Sequence, residues 1–276
     1  MARKDQLYRV KSDLPFYIGL GVLGGVYVVL ILGMLVANSF YTAPGIFRNA
    51  LASPEIQYAI RLSLITCSIT TILSLWVSVP IGYVMSRYRF PAKSLVDSIL
   101  DIPIVLPPLV IGLSLLILFR TAPGIAFETF FENVTGYRIT YAIPGVILAQ
   151  FMVACAFAVR TMRATFDQIN PRQEQVALTL GCSQGQAFWM VALPEARRGL
   201  LVAATLAWAR SLGEFGPILI FAGATRLKTE VMPTTVFLLM SVGDIEGAVA
   251  VSMIMILSAI VVLVIVRRLG NDDVLR

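Results

Sequence analysis

The sequence contains no histidine, which removes imidazole-based acid–base, nucleophile-activating and metal-ligating chemistry from the chain. Of its three cysteines, Cys67 and Cys155 lie in apolar stretches and Cys182 in a polar one. Their spacing matches neither a zinc site nor a disulfide framework. Charge is scarce: 14% of residues are Asp, Glu, Lys or Arg, against about 25% in an ordinary soluble domain. No G-x-x-x-x-G-K-[ST] phosphate loop is present, nor a His-Glu-x-x-His run. No catalytic residue and no metal ligand is therefore assigned, and no cofactor is expected on this chain.

What the sequence has in quantity is apolar length. Its 276 residues are 58% hydrophobic, with a mean hydropathy of +0.82. Six apolar segments stand out, at about 14–37, 60–85, 95–119, 141–162, 198–222 and 247–266. Each has the roughly 20 residues that a helix needs to cross about 30 Å of hydrocarbon. Helices are also what lipid demands, because the backbone must satisfy its own polar groups there. The first segment is longer than the roughly 7–15 apolar residues of a signal peptide, so it is read as a retained helix. The expectation is one all-α integral membrane domain over residues 1–276, with lipid around it.

The basic residues give a side to this arrangement. Arg3, Lys4, Arg9, Lys11, Arg87, Arg89, Lys93, Arg160, Arg163, Arg172, Arg197, Arg198, Arg267, Arg268 and Arg276 all fall on one side of a six-span topology. Six others fall on the opposite side: Arg48, Arg61, Arg120, Arg138, Arg226 and Lys228. The positive-inside rule then puts both termini and the 173–194 segment in the cytoplasm. The net charge of +6 is thus a topology signal, and no nucleic-acid partner is expected.

Two spans carry residues that a plain membrane helix does not need. The third contains Pro103, Pro107 and Pro108, which remove backbone donors and bend a helix. Such a bend serves packing or lines a cavity, since freed carbonyls in a membrane must face protein or water. Asp97 and Asp101 near its cytoplasmic end are read as helix caps or as partners of nearby arginines. The fifth span holds Arg210 and Glu214, at i and i+4 on one helix face. They are either a structural ion pair or part of an anion path, with Glu214 balancing Arg210. Gly213, Gly216 and Pro217 beside them permit close approach or a bend. Pro107, Pro108, Arg210, Glu214 and Gly216 are the candidate path or gate residues.

Between the fourth and fifth spans lies a moderately polar stretch, 173–194, that crossing a membrane does not require. Here the chain resembles the cytoplasmic loop of ATP-binding-cassette importer permeases. That family's pattern is Glu-Ala-Ala, three residues, Gly, nine residues, Ile, one residue, Leu-Pro. The matching positions are Gln175, Val176, Ala177, Gly181, Val191, Leu193 and Pro194, with Glu174 one residue before the position of the family's Glu. Three further stretches, 88–112, 147–166 and 209–223, look like the molybdate, tungstate and sulfate branch of these permeases.

The resemblance implies the type I importer (MetI-like) permease fold, in the inner (plasma) membrane of a prokaryote. It implies a dimer with a second permease copy, two cytoplasmic ATP-binding subunits that hold ATP and Mg, and an extracytoplasmic substrate-binding protein. The cargo would be a tetrahedral oxyanion, molybdate or tungstate, with sulfate or thiosulfate as the alternative. The ATPase-coupling segment would comprise Glu174, Gln175, Ala177, Leu178, Gly181, Phe188, Trp189, Leu193 and Pro194. Leu178, Leu180, Phe188 and Trp189 would make the apolar contact, Gly181 a tight turn, and Pro194 the end of the segment. A different class, an ion-gradient-driven secondary transporter, would call for more in-membrane acids or an inverted repeat.

Overall fold

The computed structural model describes residues 14–41 and 44–271, and among these the regular secondary structure is all helical, joined by short turns and loops. The basic residues Arg3, Lys4, Arg9, Lys11 and Arg276 lie outside the described residues. The helices are α1 (Leu14–Tyr41), α2 (Pro44–Ala52), α3 (Pro54–Arg87), α4 (Lys93–Val105), α5 (Pro108–Leu118), α6 (Ala122–Thr135) and α7 (Ile143–Gln168). They continue with α8 (Arg172–Thr179), α9 (Gln184–Ala187), a π-helical turn (Phe188–Ala192), α10 (Leu193–Glu195), α11 (Arg197–Leu212), α12 (Gly216–Phe221), α13 (Met232–Ser241) and α14 (Ile245–Asn271).

Four of these, α1, α3, α7 and α14, are single helices long and apolar enough to cross a membrane. Two of the six expected spans are broken, at the residues that the sequence reading took as places for a bend. The third expected span is a pair, α4 and α5, bent by 112°. The cause is local: Leu106 and Pro107 each precede a proline, a position that disfavours helical backbone. Both are extended, with ψ of 140° and 134°. Pro103, by contrast, sits inside α4. The fifth expected span is divided into α11, of 16 residues, and α12, of 6. Gly213, Glu214 and Phe215 separate them, and Pro217 opens α12 where its missing N–H costs least.

The core forms around α3, which packs along α7 and against α11. Its contact face is small and polar: Ser63, Thr66, Thr70, Ser74 and Ser78 recur at three- and four-residue spacing and are all buried. Small residues let two helices approach closely where lipid supplies no hydrophobic drive. Two of their hydroxyls, those of Thr70 and Ser63, are used across the helices, whereas Thr66 and Ser78 bond back to α3. Thr70 Oγ1 donates to Gln150 Oε1 at 3.1 Å, and Gln150 Nε2 donates to the Ser211 carbonyl at 3.3 Å. Ser63 Oγ accepts from the Met232 amide at 2.8 Å. A buried amide on α7 that bonds to both α3 and α11 ties the three helices together.

α5 and α12, the second halves of the two broken segments, are pressed backbone to backbone. A Cβ on Gly112 would sit 2.7 Å from Pro217 Cα, and one on Gly216 3.0 Å from the Leu109 amide nitrogen. Ile111, Leu115, Ile218 and Phe221 bury their side chains beside this contact. α1 stands apart: it touches the rest mainly along α14, and none of its most apolar 18-residue stretch is buried.

Candidate functional site

The 173–194 segment folds as a helix, a tight turn and a second helical stretch. α8 ends in a Schellman turn: the Cys182 amide donates to the Ala177 carbonyl and the Gly181 amide to the Leu178 carbonyl, both at 3.1 Å. Gly181 takes the left-handed conformation that this turn needs, with φ of +94°. The next stretch starts with a capping box, in which Ser183 Oγ accepts from the Gln186 amide and Gln186 Oε1 from the Ser183 amide. It then widens to a π turn, where the Leu193 amide reaches the Phe188 carbonyl. Pro194 has no amide to continue the i→i−4 ladder at that point. Pro194 thus lies within a helical run, in α10, and α11 follows at Arg197.

Two residues of the expected coupling segment, Glu174 and Phe188, are turned inward. Glu174 is buried: its Oε2 accepts from the Tyr83 hydroxyl at 2.6 Å and its Oε1 from Arg87 Nε at 2.7 Å. Arg87 also donates to the carbonyls of Phe166 and Ile169. The half-buried Phe188 packs its ring edge-on to Tyr83, 4.7 Å between centroids. Ala177 is buried, and Leu178 and Leu193 are half-buried. The outward surface includes Gln175, Val176, Leu180, Gly181, Trp189, Met190 and Pro194. Leu180 is 81% exposed, Met190 69% and Trp189 67%. Large exposed apolar residues grouped on a surface are characteristic of protein or membrane interaction sites. Met190 joins this surface without having been picked out in sequence, Val176 was named there only as a position of the family pattern, and Arg87 and Tyr83 emerge as the anchors of the whole segment.

The second group comes together at the two helix breaks. Pro107, Pro108, Arg210, Glu214 and Gly216, with Leu109, Gly213 and Phe215, line one open cavity of about 300 Å³. Arg210 Nη1 lies 2.7 Å from Glu214 Oε2, and the guanidinium stands 5.8 Å from the centre of the Phe157 ring. Glu214 is 1% exposed, whereas Arg210 keeps 29% of its side chain open. The cavity therefore presents a cation whose counter-charge is held behind it. Asp97 and Asp101 pair with Arg163 and Arg160, closing α4 onto α7.

The profile of the family described as "Binding-protein-dependent transport system inner membrane component" matches residues 78–272, most of the chain. The chain belongs to this family. It is an ABC importer permease subunit of the sulfate and molybdate/tungstate branch. The molybdenum transport system permease protein ModB of Mycobacterium bovis is 32% identical over 264 residues, 95% of this chain and 98% of that one. The sulfate transport system permease protein CysT of Salmonella typhimurium is 28% identical over 225 residues, 82% and 80% of the two chains. A bacterial alginate ABC transporter, solved in complex with its pentasaccharide-bound periplasmic protein, shares the fold with a TM-score of 0.73 over 95% of each chain, at 16% identity.

Proposed function

We propose that this permease forms the membrane path of an ATP-driven importer for molybdate or tungstate, working as a homodimer. In this reading six crossings place both termini and the 173–194 segment in the cytoplasm of a prokaryote. ATP and Mg bind a separate pair of subunits. Those subunits receive the surface built by Val176, Leu180, Trp189 and Met190 in a groove. Closing them moves both docking segments, and the Arg87–Glu174 clamp carries that motion into α3 and α7. Each ligand biases a two-state assembly by its differential affinity for the states. An extracytoplasmic binding protein delivers the oxyanion. Arg210 meets it in the path, and Glu214 keeps the attraction weak enough for release.

The observation that carries the cargo assignment is the likeness to the molybdenum permease along nearly the full length of both chains. A sulfate path is the second reading, favoured by the similarity to CysT. The test is elemental: cells with and without this chain are grown at limiting supply, and accumulated molybdenum, tungsten and sulfur are measured by mass spectrometry. Loss of molybdenum or tungsten alone supports the proposal. Loss of sulfur moves the chain to the sulfate reading, and no change in any of the three overturns the oxyanion assignment.

A further inference from the structure

A second polar cavity, of about 370 Å³, lies at the opposite end of the molecule from the docking segment, between the α2–α3 corner, the loop before α13 and the α13–α14 turn. Its charged lining is Glu55, Glu230, Asp244 and Glu246 against a single guanidinium, Arg226. An excess of carboxylates is the wrong field for a dianion, because like charges repel and a cleft focuses that field. The cavity is therefore not part of the cargo's path.

Its floor is also unsatisfied. Glu230 is 2% exposed, and its Oε2 has no hydrogen-bond partner among the described residues. A buried carboxylate oxygen left without a donor is costly, so a donor brought to it by another molecule would relieve that cost. Asp244 and Glu246 are exposed and form the rim. A metal ion does not suit the site: among the described residues no three carboxylates, thiols or imidazoles are grouped to hold one. An ammonium or guanidinium needs only one or two acceptors and approaches on a flexible stem.

We propose that this cavity is a socket for a lysine or arginine side chain of the extracytoplasmic binding protein, with Glu230 at its floor and Asp244 and Glu246 steering entry. The proposal rests on the importer reading and its orientation. Rim charges set the association rate and its salt dependence, whereas a buried charged hydrogen bond sets dissociation.

The test uses the whole transporter in lipid nanodiscs and the oxyanion-binding protein that supports its uptake in cells, with docking followed by surface plasmon resonance. Glu230→Gln is expected to weaken docking at least ~10-fold, mostly through faster dissociation. Glu246→Gln, on the exposed rim, is expected to slow association and flatten its dependence on salt. ATP hydrolysis without the binding protein should stay unchanged in both. Wild-type affinity and salt dependence in both variants would overturn the socket and leave the importer standing. Loss of the Glu230 effect when magnesium or calcium is added would assign the site to a free cation, which also overturns the proposal. If the wild-type transporter docks no oxyanion-binding protein, the importer reading falls together with it.

Discussion

Arg87 and Glu174 meet 2.7 Å apart across 87 residues of chain, with their side chains only 12% and 9% exposed. The pair fastens α8 to the end of α3, and Tyr83 fills the other carboxylate oxygen. Breaking a buried ion pair from one side leaves an uncompensated charge and costs roughly 3–5 kcal/mol. Glu174→Ala should fall near the lower end of that range in denaturant or detergent unfolding, and a double-mutant cycle with Arg87→Ala should recover much of the loss. Binding-protein stimulation of ATP hydrolysis in the assembled transporter should drop alongside. Additive single losses in the cycle would deny the coupling between the two residues.

The turn at Gly181 separates strain from packing, because a Cβ there meets nothing within 4 Å. With φ at +94°, an L residue is strained by about 1–2 kcal/mol for conformational reasons alone. Gly181→Asp should therefore keep the membrane fold, measured by yield and elution in detergent, while uptake per ATP hydrolysed falls severalfold. Unchanged uptake in this variant would count heavily against the docking role.

Gly112 is a different case, since its missing side chain is what lets α5 reach Pro217. Backbone cannot yield as a flexible side-chain tip can, so Gly112→Ala forces the α5–α12 contact apart. Overpacking of this kind costs about 1–3 kcal/mol. A lowered unfolding midpoint together with slowed uptake is the expected pair of results. A variant with wild-type stability would show that the two helices separate freely.

Arg210 and Glu214 should respond asymmetrically. Glu214→Gln leaves the exposed part of Arg210 fully charged, so the oxyanion is held longer. Saturating uptake should fall severalfold while half-saturation shifts to lower concentration. Arg210→Ala strands a carboxylate that is 1% exposed and should lose both uptake and stability. Identical transport curves for Glu214→Gln and wild type would remove Glu214 from the path.

Glu128 supplies the pH-dependent case. Its Oε1 accepts from the Thr140 amide at 2.8 Å and from the Thr140 hydroxyl, latching α6 to the segment before α7. Burial pushes its carboxyl up, but the hydrogen bonds from Thr140 and the Ile139 backbone, with the Arg138 charge, outweigh this and bring it below the usual carboxylate range. A depressed folded value stabilises the protein above the unfolded value of about 4.3 and loses that contribution as pH falls through the folded value. The stability gap between wild type and Glu128→Gln should therefore be constant from pH 7 to about pH 5 and close below about pH 4. A gap unaffected by acid would mean that the latch does not depend on the charge.

Hydropathy made the long helices legible, because α1, α3, α7 and α14 each consist of one apolar run. The prolines announced the α4–α5 bend, yet which proline would break the helix was settled by succession: only Pro107 and Pro108 stand back to back. Arg210 and Glu214 were visible as charges out of place. Their convergence with Pro107 and Pro108 in one cavity was not, because it depends on two breaks facing each other across the bundle. The inward turn of Glu174 had no local signature either, since its partner lies in another helix. Phe188 and Trp189 are adjacent aromatic residues in a π turn, and only tertiary packing on Tyr83 decides which one faces in. α13 escaped notice because its 10 residues are too few to register as a span.

The isolation of α1 has a consequence in time. Its neighbour α14 begins 204 residues after α1 ends, at Ile245 against Tyr41. At about 5–20 residues per second of synthesis, the first helix emerges from the ribosome roughly 10–40 seconds before its own chain can offer it a companion. For that interval the surrounding bilayer, or a copy already made, is all that can shelter it. Production of this protein is then sensitive to how fast the insertion machinery clears the first helix, and slowed translation between α1 and α14 lengthens the exposure without altering any contact in the finished fold.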